Sequence, residues 1–245
     1  MDLKLKDKVA LVTGAGGQTG YGRNIAKTLA AEGCHIVVAD INLEGAKKTA
    51  AEVESLGRQA LAVKVDVRER PEVDAMVKAA IDRFERIDVL VNNAGASSRE
   101  KPFMEMTRSD WDLDIGVNLI GQMNVAQSVL PHMIARKYGR IINTTGGRGI
   151  PTISVYGAAK AGIVAWTHAL AGEVAQFGVI VNGIAPGLGE TGLTTGAPPA
   201  FLQINAQRSM LKRLCRPEDV GPAVAFLASD LCSYMAGQFI DLSTF

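Results

Sequence analysis

Tyr156 and Lys160 are the two residues whose types and spacing most directly indicate chemistry in this sequence. They lie four positions apart in a segment with helical periodicity, so their side chains share one face of the predicted helix. A phenol has a pKa of about 10 and is a poor base at neutral pH, but a neighbouring ammonium group lowers that pKa. Such a tyrosine can take a proton from an alcohol whose carbon gives up a hydride. Because this spacing also occurs by chance, the prediction depends on the rest of the chain.

A glycine-rich segment after the first apolar run predicts a dinucleotide-binding turn. It reads TGAGGQTGYGR from Thr13 to Arg23, and its glycines let the backbone approach a diphosphate at the start of the next helix. Asp40 ends the second apolar run, where a carboxylate binds the adenosine ribose and repels a 2′-phosphate. We therefore predict NAD as the cofactor. NADP is the less favoured alternative, since Arg23 offers a cation for a phosphate. The alternative role of Asp40 is to cap a helix.

The elements that must position these residues alternate regularly along the chain. Short apolar runs predict strands at 9–13, 35–40, 61–65, 89–91, 140–143, 179–184 and 238–242, and helical periods cover 23–32, 44–56, a stretch from Pro71, 118–136, 154–175 and 217–227. This alternation predicts an α/β fold: a single Rossmann-type, doubly wound and mainly seven-stranded parallel sheet with helices on both faces. We expect one domain over residues 1–245, with a substrate loop or lid at about 186–210.

Composition excludes several classes of function. The net charge is +1 and no run of like charge is present, so neither nucleic acid nor a charged membrane surface is an expected partner. Three scattered cysteines and three histidines indicate neither a disulfide framework nor a metal site. The N-terminus has no signal-peptide pattern, and no apolar stretch is long enough to span a bilayer. We expect a cytoplasmic protein that binds a small molecule.

The order of motifs along the chain resembles the short-chain dehydrogenase/reductase family. The resemblance runs almost end to end and rests on Thr13-Gly14 with Gly20 and Gly22, Asp66-Val67, Asn92-Asn93-Ala94-Gly95, Asn118, Tyr156-Gly-Ala-Ala-Lys160 and Pro186-Gly187. It implies the doubly wound fold and hydride transfer between NAD(H) and the CH–OH or C=O group of a small secondary alcohol, ketone, sugar or hydroxy acid.

The resemblance also implies roles for individual residues. Tyr156 is expected to be the acid/base, Lys160 to bind the nicotinamide ribose and lower the pKa of Tyr156, and Asn118 to hold a water in a proton relay. The cofactor is expected to contact Gly14, Gly20, Tyr21, Gly22, Asp40, Asp66, Val67, Asn93, Ala94, Gly95, Tyr156, Lys160, Pro186, Gly187 and Thr191.

Two departures from the family pattern stand out. Five residues separate Gly14 and Gly20 where the family normally has three, so the glycine loop is longer. The family serine that hydrogen-bonds the substrate oxygen falls on Gly146, in a loop about three residues shorter than usual. We expect the Thr145 hydroxyl to replace that serine, with Ser154 as the second candidate. The alternative is that Thr145 merely ends a buried strand.

Substrate and assembly are predicted less specifically. Arg99 and Arg148 suggest an anionic substrate, and Phe201, Leu202, Ile204 and Met210 suggest either a helical lid or an apolar face packed on the body. Helices 118–136 and 154–175 are apolar on more than one face. In the family such helices form a four-helix interface, usually within a tetramer, so we expect a homo-oligomer and specifically a tetramer, with Phe245 either at a subunit contact or in a frayed end.

Two other functions remain open at this stage. One is a lyase or epimerase that keeps NAD bound, although such proteins usually add a C-terminal substrate domain. The other is a dinucleotide sensor that has lost catalysis, which Gly146 favours and the intact Tyr156, Lys160 and Asn118 oppose.

Overall fold

The fold is a seven-stranded parallel sheet in a computed structural model that describes residues 2–244, apart from the side chain of Leu193. Phe245, expected at a subunit contact or a frayed end, lies outside the described residues. The strands are β1 (Val9–Thr13), β2 (His35–Asp40), β3 (Ala60–Lys64), β4 (Val89–Asn92), β5 (Gly139–Thr144), β6 (Val179–Ala185) and β7 (Phe239–Asp241). Their order is β3-β2-β1-β4-β5-β6-β7, and every neighbouring pair is parallel. The predicted fold class is confirmed.

Helices cover both faces of the sheet. They are α1 (Tyr21–Ala31), α2 (Leu43–Ser55), α3 (Arg70–Phe84), α4 (Arg108–Ile115), α5 (Gly121–Ala135), α6 (Ser154–Val174), α7 (Pro199–Arg208) and α8 (Pro217–Ala228). The central strands β1 and β4 are buried along their whole length, which explains their uninterrupted apolar sequence. One core layer packs α1, α2 and α8 on the sheet, and the other packs α3, α5 and α6 on the opposite face.

Helix α4 and the turn after it differ from the sequence prediction. The predicted helix at 118–136 begins inside a π-helical turn, Gly116–Ile120. This turn follows α4 directly and runs into α5. Helix α4 buries only Asp114, so it has no apolar stripe to reveal it. Its beginning carries a signal that the prediction did not use: Thr107 and Asp110 form a capping box, with the Thr107 N–H 2.7 Å from the Asp110 carboxylate.

The carboxyl ends of β1, β4, β5 and β6 meet at one edge of the sheet. Strand order reverses between β1 and β4, and ligands of open α/β sheets bind in the crevice above such a reversal. The segment at 186–210, predicted as a loop, contains a 3-10 turn at Gly192–Thr194 and helix α7. Within residues 2–244, no helix is both long and apolar enough to cross a membrane.

Candidate active site

Tyr156 and Lys160 lie one turn apart near the start of α6. The Lys160 ammonium is 5.6 Å from the centroid of the Tyr156 ring and donates a hydrogen bond to the Thr144 carbonyl at 3.0 Å. Burial lowers the pKa of Lys160 to about 8. Burial, followed by the charge of Asp114, raises the pKa of Tyr156 to about 12. The pKa of Tyr156 is thus raised in this structure, where the sequence suggested that it would be lowered, and the phenol is protonated at neutral pH.

Asn118 faces this pair from the π-helical turn. Its side-chain amide donates to the carbonyls of Ala96 at 2.6 Å and Asp114 at 2.8 Å. Its Oδ1 atom is buried and has no hydrogen-bond partner among the residues that the structure describes. A Cβ atom on Gly95 would lie 3.1 Å from that oxygen and 3.9 Å from the Lys160 ammonium. The amide oxygen and the ammonium therefore converge on the space above Gly95, where a Cβ atom would be tight.

The glycine loop and the loop after β4 are packed directly on each other. A Cβ atom on Gly14 would lie 2.7 Å from the Ala94 Cα, and one on Gly22 would lie 2.3 Å from the Gly14 carbonyl oxygen. The Asn93 side chain ties the loops together by donating to the Thr13 carbonyl at 2.9 Å and the Gly14 carbonyl at 3.1 Å. These contacts explain why the predicted glycines and Asn93-Ala94 occur together.

The start of helix α1 fits a nicotinamide dinucleotide. Gly20 precedes the first helical residue and no side chain caps this end, so the N–H groups of the first turn are available to an anion. Gly14 and Gly20 are half-buried there, whereas Gly22 is buried against the Gly14 carbonyl oxygen. The residues present therefore fit a diphosphate at this position.

Asp40 contacts the extended glycine loop. One carboxylate oxygen accepts the Gly16 N–H at 2.7 Å and the other accepts the Asn42 N–H at 2.8 Å. A Cβ atom on Gly16 would lie 2.8 Å from the Asp40 Cγ, so the longer loop folds back onto this side chain. Arg23 is engaged elsewhere, with its Nε donating to Glu52 at 2.9 Å in a two-point ion pair.

Asp66 and Val67 follow β3, beside the expected adenine position. The Asp66 carboxylate forms a two-point ion pair with Arg68, at 2.6 Å for the shorter contact, and this pair lowers the pKa of Asp66. Val67 is buried, and a Cβ atom on Gly121 would lie 2.5 Å from its Cγ2. Val67 therefore packs against the start of α5, whereas the Asp66 carboxylate is occupied by a neighbour.

The segment after β6 is joined to helix α1 by Tyr21. The Tyr21 hydroxyl donates to the Gly187 carbonyl at 2.9 Å, and a Cβ atom on Gly189 would lie 2.1 Å from that hydroxyl. Burial raises the pKa of Tyr21. Further along, the Thr191 N–H donates to the Thr194 hydroxyl at 2.9 Å. Gly187 and Gly189 thus lie directly against Tyr21, the first residue of α1.

Thr145, which we expected to replace the missing serine, makes a different hydrogen bond in this structure. The buried Thr145 hydroxyl donates a hydrogen bond to the Lys160 carbonyl at 2.6 Å. In this structure its hydrogen is therefore bound to helix α6, whereas we expected it to be donated to the substrate oxygen. Ser154 is exposed at the first residue of α6, and a separation of two residues puts it on a different face from Tyr156.

Glycine at position 146 is required by the local backbone. Gly146 has a φ of +120° and Gly147 a φ of +66°, conformations that L side chains rarely adopt. A Cβ atom on Gly147 would also lie 2.9 Å from the Tyr156 Cε1. The shortened loop therefore passes close to the reactive ring as bare backbone, and a serine at 146 would be strained.

Comparisons with known proteins agree with this arrangement. The family described as Enoyl-(Acyl carrier protein) reductase matches residues 14–243. The (2S)-[(R)-hydroxy(phenyl)methyl]succinyl-CoA dehydrogenase subunit BbsD of Thauera aromatica is 36% identical, over 96% of this chain and 95% of that protein. A short-chain type dehydrogenase/reductase from Mycobacterium marinum superposes with a TM-score of 0.92 at 29% identity, over 99% of this chain and 96% of that one. This chain belongs to the short-chain dehydrogenase/reductase family.

A third similar protein carries bound ligands. A 7α-hydroxysteroid dehydrogenase complexed with NADH and 7-oxo glycochenodeoxycholic acid superposes with a TM-score of 0.93 at 32% identity, over 99% of this chain and 95% of that one. This short-chain dehydrogenase/reductase is therefore an oxidoreductase of a family that binds nicotinamide dinucleotides.

Sequence reasoning missed Asp114, a buried carboxylate whose charge contributes to the raised pKa of Tyr156. Asp114 is 1% exposed and belongs to α4, which was not predicted. The available signal was an aspartate one helical turn before Asn118, at a position that faces inward.

The residues expected to select the substrate differ in their exposure and in whether they form an ion pair. Arg148 lies 3.6 Å from Asp241 in a half-exposed ion pair, and Arg99 is exposed with a φ of +70°. Helix α7 buries none of its residues, and Ile204 and Met210 are 52% and 71% exposed. Phe201 and Leu202 are half-buried, so the lid and the packed apolar face both remain as predictions.

Proposed function

We propose that this protein is an NAD(H)-dependent oxidoreductase that transfers a hydride between nicotinamide and the carbinol or carbonyl carbon of a small secondary alcohol or ketone. The observation that carries the proposal is the convergence of the Asn118 amide oxygen and the Lys160 ammonium above Gly95, with the centroid of the Tyr156 ring 5.6 Å from that ammonium. Gly14, Gly20 and Gly22 would hold the cofactor diphosphate at the start of α1. When bound, the cofactor supplies or accepts the hydride.

Tyr156 moves the proton. At neutral pH its phenol is protonated because burial raises its pKa to about 12, so it donates to the carbonyl oxygen in reduction. In alcohol oxidation the phenolate must form first, and the Lys160 ammonium, 5.6 Å from the ring centroid, favours that form. The unpaired Asn118 Oδ1 offers an acceptor beside the ammonium for a bridging water.

Thr145 acts in this proposal by positioning Lys160 through its bond to the Lys160 carbonyl. The substrate oxygen still needs a second hydrogen-bond donor. We assign that role to the backbone of the shortened loop, because the N–H groups of Gly146 and Gly147 donate no hydrogen bond within residues 2–244. Backbone N–H groups that are fixed in place stabilise a developing oxyanion as well as a hydroxyl does.

NAD is preferred over NADP in this proposal for two reasons. The Asp40 carboxylate, held by two backbone N–H groups, would repel a 2′-phosphate and keeps lone pairs for ribose hydroxyls. Arg23, the alternative phosphate ligand, is paired with Glu52. The similar hydroxysteroid dehydrogenase complexed with NADH agrees with this preference. A higher kcat/KM with NADP⁺ than with NAD⁺ would contradict it.

Two of the relatives' names support the substrate class proposed here. One names a hydroxy(phenyl)methyl group on a CoA thioester, and the other is complexed with a 7-oxo bile acid. Both chemistries exchange a secondary hydroxyl and a ketone. We therefore propose a panel of 3-hydroxyacyl thioesters, hydroxysteroids, simple secondary alcohols, sugars and hydroxy acids as test substrates.

The deciding experiment follows the reduction of NAD⁺ and NADP⁺ by absorbance across this panel, with Tyr156→Phe beside the wild type. Tyr234→Phe is the matched control, because Tyr234 is fully exposed. NAD-dependent turnover lost only in Tyr156→Phe is the expected result. Turnover that survives in Tyr156→Phe would overturn the proposal. If NAD instead remains bound through purification and no net turnover is seen, the lyase or epimerase is favoured. If no turnover is seen and Tyr156→Phe leaves the binding of NAD unchanged, the sensor is favoured.

We further propose a homo-oligomer, expected to be a tetramer, and a cytoplasmic location. Ile115 and Ile120, on α4 and the π-helical turn, are 36% and 43% exposed, and Phe103 and Met104 nearby are also exposed. Light scattering during gel filtration tests the assembly, and a monomer at micromolar concentration would refute it. The location is supported by the three free thiols, Cys34, Cys215 and Cys232.

A further inference from the structure

Gln122 is a buried amide in the first turn of α5. It is 2% exposed, and its Nε2 atom donates a hydrogen bond to the Thr144 carbonyl at 3.0 Å. Its Oε1 atom is buried and has no hydrogen-bond partner within residues 2–244. Burying an unpaired amide oxygen is unfavourable, whereas a methionine or leucine side chain would fill the same place with apolar atoms. Packing alone therefore does not account for a glutamine at position 122.

The Thr144 carbonyl receives a second side-chain donor, the Lys160 ammonium. This bond is also 3.0 Å long. A carbonyl oxygen offers two lone pairs to its donors. Because Gln122 donates to the same oxygen, the ammonium is confined to the lone pair that Gln122 does not use. The other two N–H groups of the ammonium are then left for partners elsewhere.

The strand ends around this carbonyl hold both Lys160 and Gln122. The Thr145 hydroxyl donates to the Lys160 carbonyl at 2.6 Å, so adjacent residues at the end of β5 bind the two ends of this lysine. The Asn92 side chain, at the end of β4, donates to the Gln122 carbonyl at 3.4 Å and to the Asn143 side chain at 2.9 Å. The ends of β4 and β5 and the start of α5 therefore form one hydrogen-bonded unit around the ammonium.

We propose that Gln122 is a positioning residue: by sharing the Thr144 carbonyl, it fixes the Lys160 ammonium in the place from which it acts on Tyr156. This inference rests on the proposed function, because it assumes that Tyr156 and Lys160 carry the reaction. The ammonium lies 5.6 Å from the centroid of the Tyr156 ring, and its effect on the phenol depends on that separation. Without Gln122 the ammonium is free to move between the two lone pairs, so fewer molecules hold the productive arrangement.

Gln122→Met tests this role, because methionine has a similar length and donates no hydrogen bond. With saturating NAD⁺ and a secondary alcohol from the panel, kcat should fall about tenfold, and the KM for the alcohol should stay unchanged because Gln122 is buried. Gln127→Met is the matched control. Gln127 is exposed on the same helix and bonds to Arg70, so this variant should keep both constants. An unchanged kcat in Gln122→Met would overturn the proposal.

A double-mutant cycle supplies a readout that does not need turnover. Urea denaturation at pH 7 compares the wild type, Gln122→Met, Lys160→Met and the double variant. Either donor alone can serve the Thr144 carbonyl, whereas the double variant loses both side-chain donors. It should therefore unfold more readily than the two single changes together predict, by about tenfold in the equilibrium constant. Changes that simply add would also overturn the proposal.

A second variant keeps the test valid if the first does not fold. Gln122→Leu removes the same donor, and it must give the same fall in kcat and the same coupling to Lys160→Met. Failure of the proposed function itself would show separately, as turnover that persists in Tyr156→Phe. That outcome would leave the coupling between Gln122 and Lys160 in place.

Discussion

Replacing Lys160 by methionine should stabilise the protein while abolishing its activity. Burial lowers the pKa of Lys160 from 10.5 to about 8, and the side chain is 3% exposed. Below pH 8 the ammonium is charged in both the folded and unfolded states. The shift of about 2.5 units then corresponds to about 3 kcal/mol of lost stability. This loss shrinks as the pH rises from 8 toward 10.5, because the folded state releases its proton first, and at pH 9.5 about 1 kcal/mol remains.

The variant also loses the hydrogen bond from Lys160 to the Thr144 carbonyl, which contributes about 1 kcal/mol. Lys160→Met should therefore exceed the wild type in free energy of unfolding by about 2 kcal/mol at pH 7 and match it near pH 9.5. Urea denaturation at both pH values measures the difference. Lys48→Met, at an exposed position, is the matched control and should show no such pH dependence. A Lys160→Met protein that is less stable than the wild type at pH 7, or a difference that does not change with pH, would refute the reasoning.

Three further substitutions test the loops around the site. Thr145→Val should lower kcat less than tenfold, because its bond goes to the Lys160 carbonyl; a loss of about 10² to 10³ would mean that the hydroxyl serves the substrate oxygen after all. Gly147→Ala should lower kcat at least tenfold without weakening binding of NAD, since its Cβ would meet Tyr156 at 2.9 Å; unchanged kcat would show that the ring tolerates displacement. Tyr21→Phe removes the bond to Gly187 and, at about 1 kcal/mol, should weaken NAD binding about fivefold in calorimetry; an unchanged affinity would count against the contribution of this bond to the cofactor site.

Most of the fold could be predicted from the sequence, because the central strands are buried on both faces. Strands β1 and β2 match their predicted bounds, and the others differ by one or two residues at their ends. Burial on both faces makes a strand a continuous apolar run. Helix α4 has no such signature, because it buries only Asp114.

The sequence predicted which residues form the candidate site but not the hydrogen bonds that they make. Tyr156 and Lys160 share a helix, so their spacing alone places them together. The partners of Thr145 and Asp40 depend on the conformations of adjacent loops, which residue spacing does not determine. The Thr145 hydroxyl donates its hydrogen bond to the Lys160 carbonyl because β5 ends against α6. Nothing in the order of residues 144–149 indicates that contact. The π-helical turn that buries Asn118 was likewise not predicted, because nothing in the order of residues Gly116–Ile120 distinguishes a π-helical turn from an α-helical one.

The two departures from the family pattern are accommodated in the same physical way. The lengthened glycine loop brings the N–H of Gly16 to Asp40, and the shortened loop before α6 brings Gly147 against Tyr156. In each case a glycine backbone, which alone can approach so closely, lies against the side chain that would select the cofactor or move the proton. The spacing of Tyr156 and Lys160 is unaffected, because the helix fixes it. The changes in loop length therefore alter what surrounds Asp40 and Tyr156, and we expect differences from relatives in cofactor preference to originate in the glycine loop and differences in substrate to originate in the loop before α6.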